Sequence, residues 1–177
     1  MSLYCFFFYI VYDAGERRRG MKDTNAILKL SSSESTRISL EAVRLGEAGL
    51  NQHRQGLLNR IPNKGDWVAL KLESVTVKDV AYLSAATHDE FALLRGKTKD
   101  ILYHGERTHC YFAEELVDLL KSKKLRLVVH SHPDYNDIEA SDDDRRFLRY
   151  INQKKSLIIS YYTGEVNEFS ANMFDDI

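Results

Sequence analysis

LRLVVHSHPDYNDIEASDDD, residues 125–144, is the most informative stretch of this chain. Its first part is strongly apolar, as is typical of a buried strand, and Pro133 ends that strand because proline has no amide hydrogen for a sheet ladder. Ser141 can then cap a helix, since a serine side chain accepts a hydrogen bond from an amide of the first helical turn. The stretch therefore predicts a strand, a loop and a helix in succession.

The residues on either side of this stretch predict further alternating helices and strands. Thr76 and Asp79 fit a capping box at the start of a helix, and apolar periodicity indicates the other elements. In chain order, the predicted elements are a helix from Thr76, strands at 90–96 and 101–103, a helix at 112–120, the strand at 125–130, a helix from Ser141, and strands at 157–162 and 165–169. This order is typical of an α/β sandwich with a mixed sheet.

The N-terminal part of the chain is less regular in its pattern. We expect a strand or an ordered arm at 3–12, a strand at 26–30, a helix over 39–60 despite its three glycines, and a strand at 67–72. Residues 1–75 are accordingly predicted to be an N-terminal extension, strand plus helix, that packs on a core domain of residues 76–177.

Composition excludes several classes of function. The 177 residues carry 25 basic and 26 acidic side chains, so the near-neutral charge predicts neither nucleic acid nor an anionic membrane surface as a partner. Two cysteines are too few for a disulfide framework, which favours a reducing compartment. The most apolar stretch, 3–12, is shorter than the roughly 20 residues of a membrane span and lacks the flanks of a signal peptide. A cytoplasmic location is therefore expected.

Two histidines, His130 and His132, lie two residues apart at the end of the central predicted strand. Residues with that spacing point to the same side of a sheet, so the two imidazoles can converge on one point. Neutral imidazole is a common zinc ligand, and a carboxylate from the next helix would complete a three-ligand set with a fourth position for water. Asp144 lies in the first turn of that helix, where the helix dipole favours a charged carboxylate. A Zn²⁺ site formed by His130, His132 and a carboxylate at the position of Asp144 is therefore geometrically plausible.

These residues resemble the signature of the JAMM family of zinc metalloproteases, also called MPN-plus or Mov34/PAD-1. In that family His-x-His-Pro at a strand end is followed by Ser-x-x-Asp and preceded by a distant Glu at the start of a strand. Here the corresponding residues are His130 to Pro133, Ser141 with Asp144, and Glu90, which opens a strand of the family's form. The resemblance covers about residues 76–170 and is nearest to the small prokaryotic and phage members.

The resemblance implies both a fold and an activity. The fold would be the MPN domain, a three-layer α/β/α sandwich with a mixed sheet, similar to that of cytidine deaminase. The activity would be zinc-dependent hydrolysis of a peptide or isopeptide bond, with Glu90 as the general base and Ser141 helping to stabilise the oxyanion. The substrate would be a protein or peptide, including one joined to a ubiquitin-like protein, as for deubiquitinases.

One departure from the family spacing leaves the third ligand open. The family usually places seven residues between the second histidine and the serine, whereas eight lie between His132 and Ser141. With seven intervening residues, the position of the family's serine would be Ala140, and the ligand three residues later would be Asp143. We prefer Ser141 with Asp144, because a loop absorbs an inserted residue more easily than the site tolerates loss of the hydroxyl.

Taken singly, each of these residues also has an ordinary structural role. Ser141 is a common N-cap, a lone His-x-His is more often a packing feature, and Glu90 alone would be a surface carboxylate. The functional interpretation depends on their occurrence together and in this order. Its main rival is a metal-free MPN-like module that binds a partner or scaffolds a complex.

Overall fold

The computed structural model of the chain describes residues 34–132 and 138–172. Within these ranges the helices are α1 Glu34–Arg44, α2 Gln52–Leu58, α3 Val77–Thr87, α4 Glu114–Lys121 and α5 Asp142–Tyr150, and the strands are β1 Trp67–Lys71, β2 Phe91–Gly96, β3 Lys99–His104, β4 Leu125–His132, β5 Lys155–Ser160 and β6 Val166–Ser170. The strands form one mixed sheet in the order β1-β3-β2-β4-β5-β6. The predicted α/β class with a mixed sheet is confirmed.

Strand β4 lies in the interior of the sheet, between β2 and β5. It pairs antiparallel with β2 and parallel with β5, and the parallel pair is joined through α5. Parallel neighbours need such a crossover, because the chain must return to the same end of the sheet. The carboxyl end of β4 and the amino end of α5 are therefore brought to one edge of the sheet.

Helices lie on both faces of the sheet. Ser131 on β4 contacts Ser84 of α3, with 2.6 Å between the two Oγ atoms. The neighbouring residues of β4, His130 and His132, point to the opposite face, where they meet Asp144 of α5. Helices α1 and α2 contact α3 on the first face. The sheet is thus the middle layer between two helical layers.

Residues 34–75 share the sheet and the core with the rest of the described chain. Strand β1 pairs with β3, and Leu40 and Ile61 are completely buried. The prediction of one helix over 39–60 is wrong, because the chain leaves α1 through Gly46 at a φ of +74° and begins α2 at the Asn51 cap. The strands predicted at 3–12 and 26–30 lie outside the described residues.

The described helices are seven to eleven residues long. None of them combines the length and the apolar composition that crossing a bilayer requires.

The predicted capping box at α3 is present and gives a first testable prediction. Thr76 Oγ1 accepts a hydrogen bond from Asp79 N, and Asp79 Oδ2 accepts one from Thr76 N. Thr76→Ala should lower the free energy of unfolding by about 1 kcal/mol in urea titrations, because the amide loses its acceptor. Ala113→Ser at the uncapped start of α4 should instead raise the free energy of unfolding. Equal stability of the Thr76→Ala and parent proteins would contradict the role of the cap.

Candidate metal centre

The two histidines at the end of β4 face the same side of the sheet, as their spacing predicts. Their ring centroids are 4.8 Å apart with the planes tilted by 57°, and both side chains are buried. Ser131 lies between the two histidines in the chain and points to the other face of the sheet. Its Oγ accepts a hydrogen bond from Phe91 N. The strand end that carries the imidazoles is therefore tied to β2 and, through Ser84, to α3.

Asp144 reaches the histidines because its helix begins with a second capping box. Ser141 Oγ accepts a hydrogen bond from Asp144 N, while Asp144 Oδ2 accepts hydrogen bonds from Ser141 N at 2.6 Å and from Ser141 Oγ at 2.7 Å. The other carboxylate oxygen, Oδ1, is buried and accepts no hydrogen bond from the described residues. The cap thus orients the carboxylate and leaves Oδ1 directed at His130.

The three side chains have the spacing of a metal site. Asp144 Oδ1 lies 3.6 Å from His130 Nε2, and Asp144 Oδ2 lies 3.8 Å from His132 Nε2. All three ligand atoms lie within 4.8 Å of one another. Ligands of a tetrahedral zinc ion, each about 2.0–2.1 Å from the metal, are about 3.3 Å apart. The donor atoms are therefore farther apart than in an occupied site, and the cluster could hold a metal ion after the side chains move closer together.

The electrostatics of the cluster also favour a cation. Asp144 is completely buried. Burial raises the pKa of Asp144 to about 7, against the lowering effect of the hydrogen bonds from Ser141. A buried carboxylate is disfavoured in its charged form unless a positive charge lies nearby. A divalent ion between the imidazoles and the carboxylate would supply that charge.

Asp143, the alternative third ligand, lies elsewhere. Its carboxylate is about half exposed and accepts a hydrogen bond from Arg146 Nη1 at 2.9 Å on the outer side of α5. Successive residues of a helix point about 100° apart, so only one of these two aspartates can face β4. In the structure that residue is Asp144.

Glu90 lies just before β2 and is almost completely buried. Its backbone N donates a hydrogen bond to Glu106 O at 2.8 Å, and its carbonyl O accepts one from Gly105 N at 2.7 Å. On β2, Ala92 pairs with His130. Residues two apart on a strand share a face, so extending the β2–β4 register by two residues would put Glu90 opposite His132, on the face of the two histidines.

Two side chains near Glu90 were not singled out from the sequence. Cys110 Sγ lies 3.7 Å from Glu90 Oε2, and the phenol of Tyr161 is close enough for the Glu90 charge to affect it. Burial, together with Tyr162 and the Glu90 charge, raises the pKa of Tyr161 to about 12. Neither residue has a recognisable motif spacing. Tyr161 directly follows β5, the strand that pairs with β4. That position is the one indication in the sequence that its side chain lies near the site.

The histidines outside the cluster have other surroundings. His104 is buried between Ile61 O, 2.9 Å from Nδ1, and Asp89 Oδ2, 3.2 Å from Nε2. His88 is the C-cap of α3 with a left-handed backbone. These contacts are those of structural residues.

Ser141 supports the third ligand, and this gives a second prediction. Its hydroxyl donates a hydrogen bond to Asp144 Oδ2 and so helps to hold that carboxylate in place. Ser141→Ala should weaken zinc binding about 10–100-fold, the usual effect of losing a group that orients a ligand. Ser156→Ala, which removes another buried serine hydroxyl on β5, is the control and should bind zinc like the parent. Competition with a chromogenic chelator measures both affinities.

The chain was compared with protein-family models, with curated proteins and with solved structures, and none of them matches it.

Proposed function

We propose that this protein is a zinc-dependent hydrolase of peptide or isopeptide bonds, of the JAMM type that its motif resembles. The observation that carries the proposal is the buried cluster of His130, His132 and Asp144 at the carboxyl end of a central strand. Open α/β sheets commonly bind their ligands outside the carboxyl ends of the strands. The order of the motif along the chain and the position of Glu90 on the same face support this assignment.

Zinc is the metal that we propose because of the donor set. Two imidazole nitrogens and one carboxylate oxygen are borderline ligands that suit zinc better than magnesium or calcium, which prefer oxygen alone. Three protein ligands are also the number found in catalytic zinc sites, whereas structural sites use four. When bound, the ion would supply Lewis acidity, which lowers the pKa of a water molecule and polarises an amide carbonyl.

Glu90 is the proton carrier in this proposal. Its carboxylate would accept a proton from the attacking water and pass it to the leaving amine, so that no covalent acyl-enzyme is required. A general base needs a fixed position within hydrogen-bond reach of the proton that it takes. The two backbone hydrogen bonds of Glu90 to the 105–106 segment supply such a fixed position.

The substrate class follows from the resemblance. We propose a protein or peptide amide, either an isopeptide bond to a ubiquitin-like protein or a peptide bond near the C-terminus of such a protein. In this proposal the catalytic domain, residues 76–177, has the MPN fold. The mixed sheet between two helical layers is compatible with that fold.

Metal analysis and a substrate panel test the proposed function. Protein purified without chelators is analysed for metals, then incubated with ubiquitin-like conjugates and C-terminally extended peptides, with and without a chelator. One zinc per chain and cleavage that stops with chelator and returns with zinc would support the proposal. Protein that neither retains nor rebinds zinc, and cleaves nothing in the panel, would favour the metal-free scaffold.

A further inference from the structure

We propose that Cys110 is a positioning residue for Glu90, and that its thiol donates a hydrogen bond to the Glu90 carboxylate. The inference rests on the proton-accepting role proposed above for Glu90. Cys110 Sγ lies 3.7 Å from Glu90 Oε2, within the range of a hydrogen bond from sulfur. Both side chains are buried, so the contact is shielded from bulk water.

A buried carboxylate needs donors to hold it in one position. An unsatisfied charged oxygen in the protein interior is strongly disfavoured, and each donor that it gains also restricts its orientation. The thiol is a weak donor, but the low dielectric of the surroundings strengthens its interaction with a charged acceptor. Cys110 therefore limits the rotamers available to Glu90 on the face of the metal ligands.

The backbone around Cys110 is built to make this contact. The segment after β3 turns back on itself, with Glu106 N donating a hydrogen bond to His109 O at 2.6 Å. A Cβ atom at Gly105 would lie 2.7 Å from Cys110 Sγ and 2.8 Å from His109 O, which is closer than real Cβ contacts, and 3.0 Å from Glu90 O. Only glycine at this position allows the turn to approach β2 so closely.

Cys110 could instead be only a small apolar residue of the core, since buried cysteines often have that role. The two roles predict different responses to substitution at Glu90. A packing role depends on the volume of the side chain and is insensitive to whether its neighbour is a carboxylate or an amide. A hydrogen bond from the thiol depends on the charge of the acceptor.

The S–H stretching band in the Raman spectrum tests the hydrogen bond directly. The spectrum is recorded for zinc-loaded Cys5→Ser protein, in which Cys110 is the remaining cysteine, and for the same protein with Glu90→Gln. A hydrogen-bonded thiol has a lowered S–H frequency, so the band should move to higher frequency when the amide replaces the carboxylate. An identical band in the two proteins would overturn the proposal.

Kinetics on the substrate found by the panel test the positioning role. Cys110→Ala should lower kcat about fivefold to tenfold with little change in KM, the effect expected for one hydrogen bond, and Cys110→Ser should restore most of kcat because serine keeps a donor. Leu125→Val is the control for a small loss of core volume, since Leu125 pairs with Gly96 at the far end of β2. A fall in kcat for Cys110→Ser equal to that for Cys110→Ala would overturn the role.

Failure of this inference differs from failure of the proposed function. If Glu90→Gln is slow but Cys110→Ala is as fast as the parent, the positioning role is overturned and Glu90 keeps its function. If Glu90→Gln is as fast as the parent, the base assignment is overturned, and the positioning role with it.

Discussion

Replacing Asp144 by alanine is expected to remove the bound metal. The substitution leaves two neutral imidazoles and no anionic ligand, and two ligands do not hold zinc in a protein site. Zinc affinity should therefore fall by more than the roughly 100-fold that follows loss of a supporting group. Isothermal titration of the chelator-treated protein with zinc, with elemental analysis of the purified variant, measures the effect.

Asp143→Ala is the matched control for that experiment. Asp143 is adjacent in the chain and has the same side chain, but its carboxylate contacts Arg146 and solvent instead of the histidines. The zinc affinity of the Asp143→Ala protein should stay within about twofold of the parent value, since a surface ion pair of this kind contributes little. Loss of zinc from Asp143→Ala, with zinc kept by Asp144→Ala, would reverse the assignment of the third ligand.

Asp144 also belongs to the capping box, so its removal can affect the fold as well as the metal. Asp144→Asn separates these effects, because an amide oxygen can still accept the hydrogen bonds from Ser141 while the negative charge is lost. The asparagine variant should unfold at a similar urea concentration to the metal-free parent and should bind zinc much more weakly. Equal zinc binding by the two proteins would show that the carboxylate charge is not required.

Replacing Glu90 by glutamine is expected to separate metal binding from turnover. The amide has the size of the carboxylate but cannot accept a proton from water at neutral pH, so kcat should fall about 100-fold or more. Zinc content should remain near one per chain, because Glu90 is outside the three-ligand cluster. Steady-state kinetics and elemental analysis on the same preparation measure both quantities.

Glu106→Gln is the control for the Glu90 substitution. Glu106 lies in the segment that hydrogen-bonds to the Glu90 backbone, but its own side chain is half exposed and pairs with Lys64 at 3.5 Å. Its substitution changes the same net charge and should leave kcat within about twofold, as for most exposed carboxylates. A parent-like rate for Glu90→Gln would contradict the general-base assignment.

Much of the site depends on local patterns that are readable in the amino-acid order. Alternation along a strand places His130 and His132 on one side, and the serine cap sets where α5 begins. The predicted bounds of the strand, 125–130, and the predicted start of the helix at Ser141 agree with β4 and α5 to within about two residues. These features involve residues a few positions apart, so backbone geometry and hydrogen bonding within one element are enough to specify them.

Other features arise only when distant segments pack together. Spacing alone left Asp143 and Asp144 open, and it was the approach of α5 to β4 that buried one and exposed the other. The contact of Cys110 with Glu90 joins residues twenty positions apart and requires the close turn at Gly105. Likewise, hairpin signals predict that β2 pairs with β3, whereas the pairing of β2 with β4 depends on which edges the whole sheet leaves available. Interactions between residues that are close in the sequence cannot distinguish these arrangements, because the free energies of the arrangements come from burial and from contacts between different helices and strands.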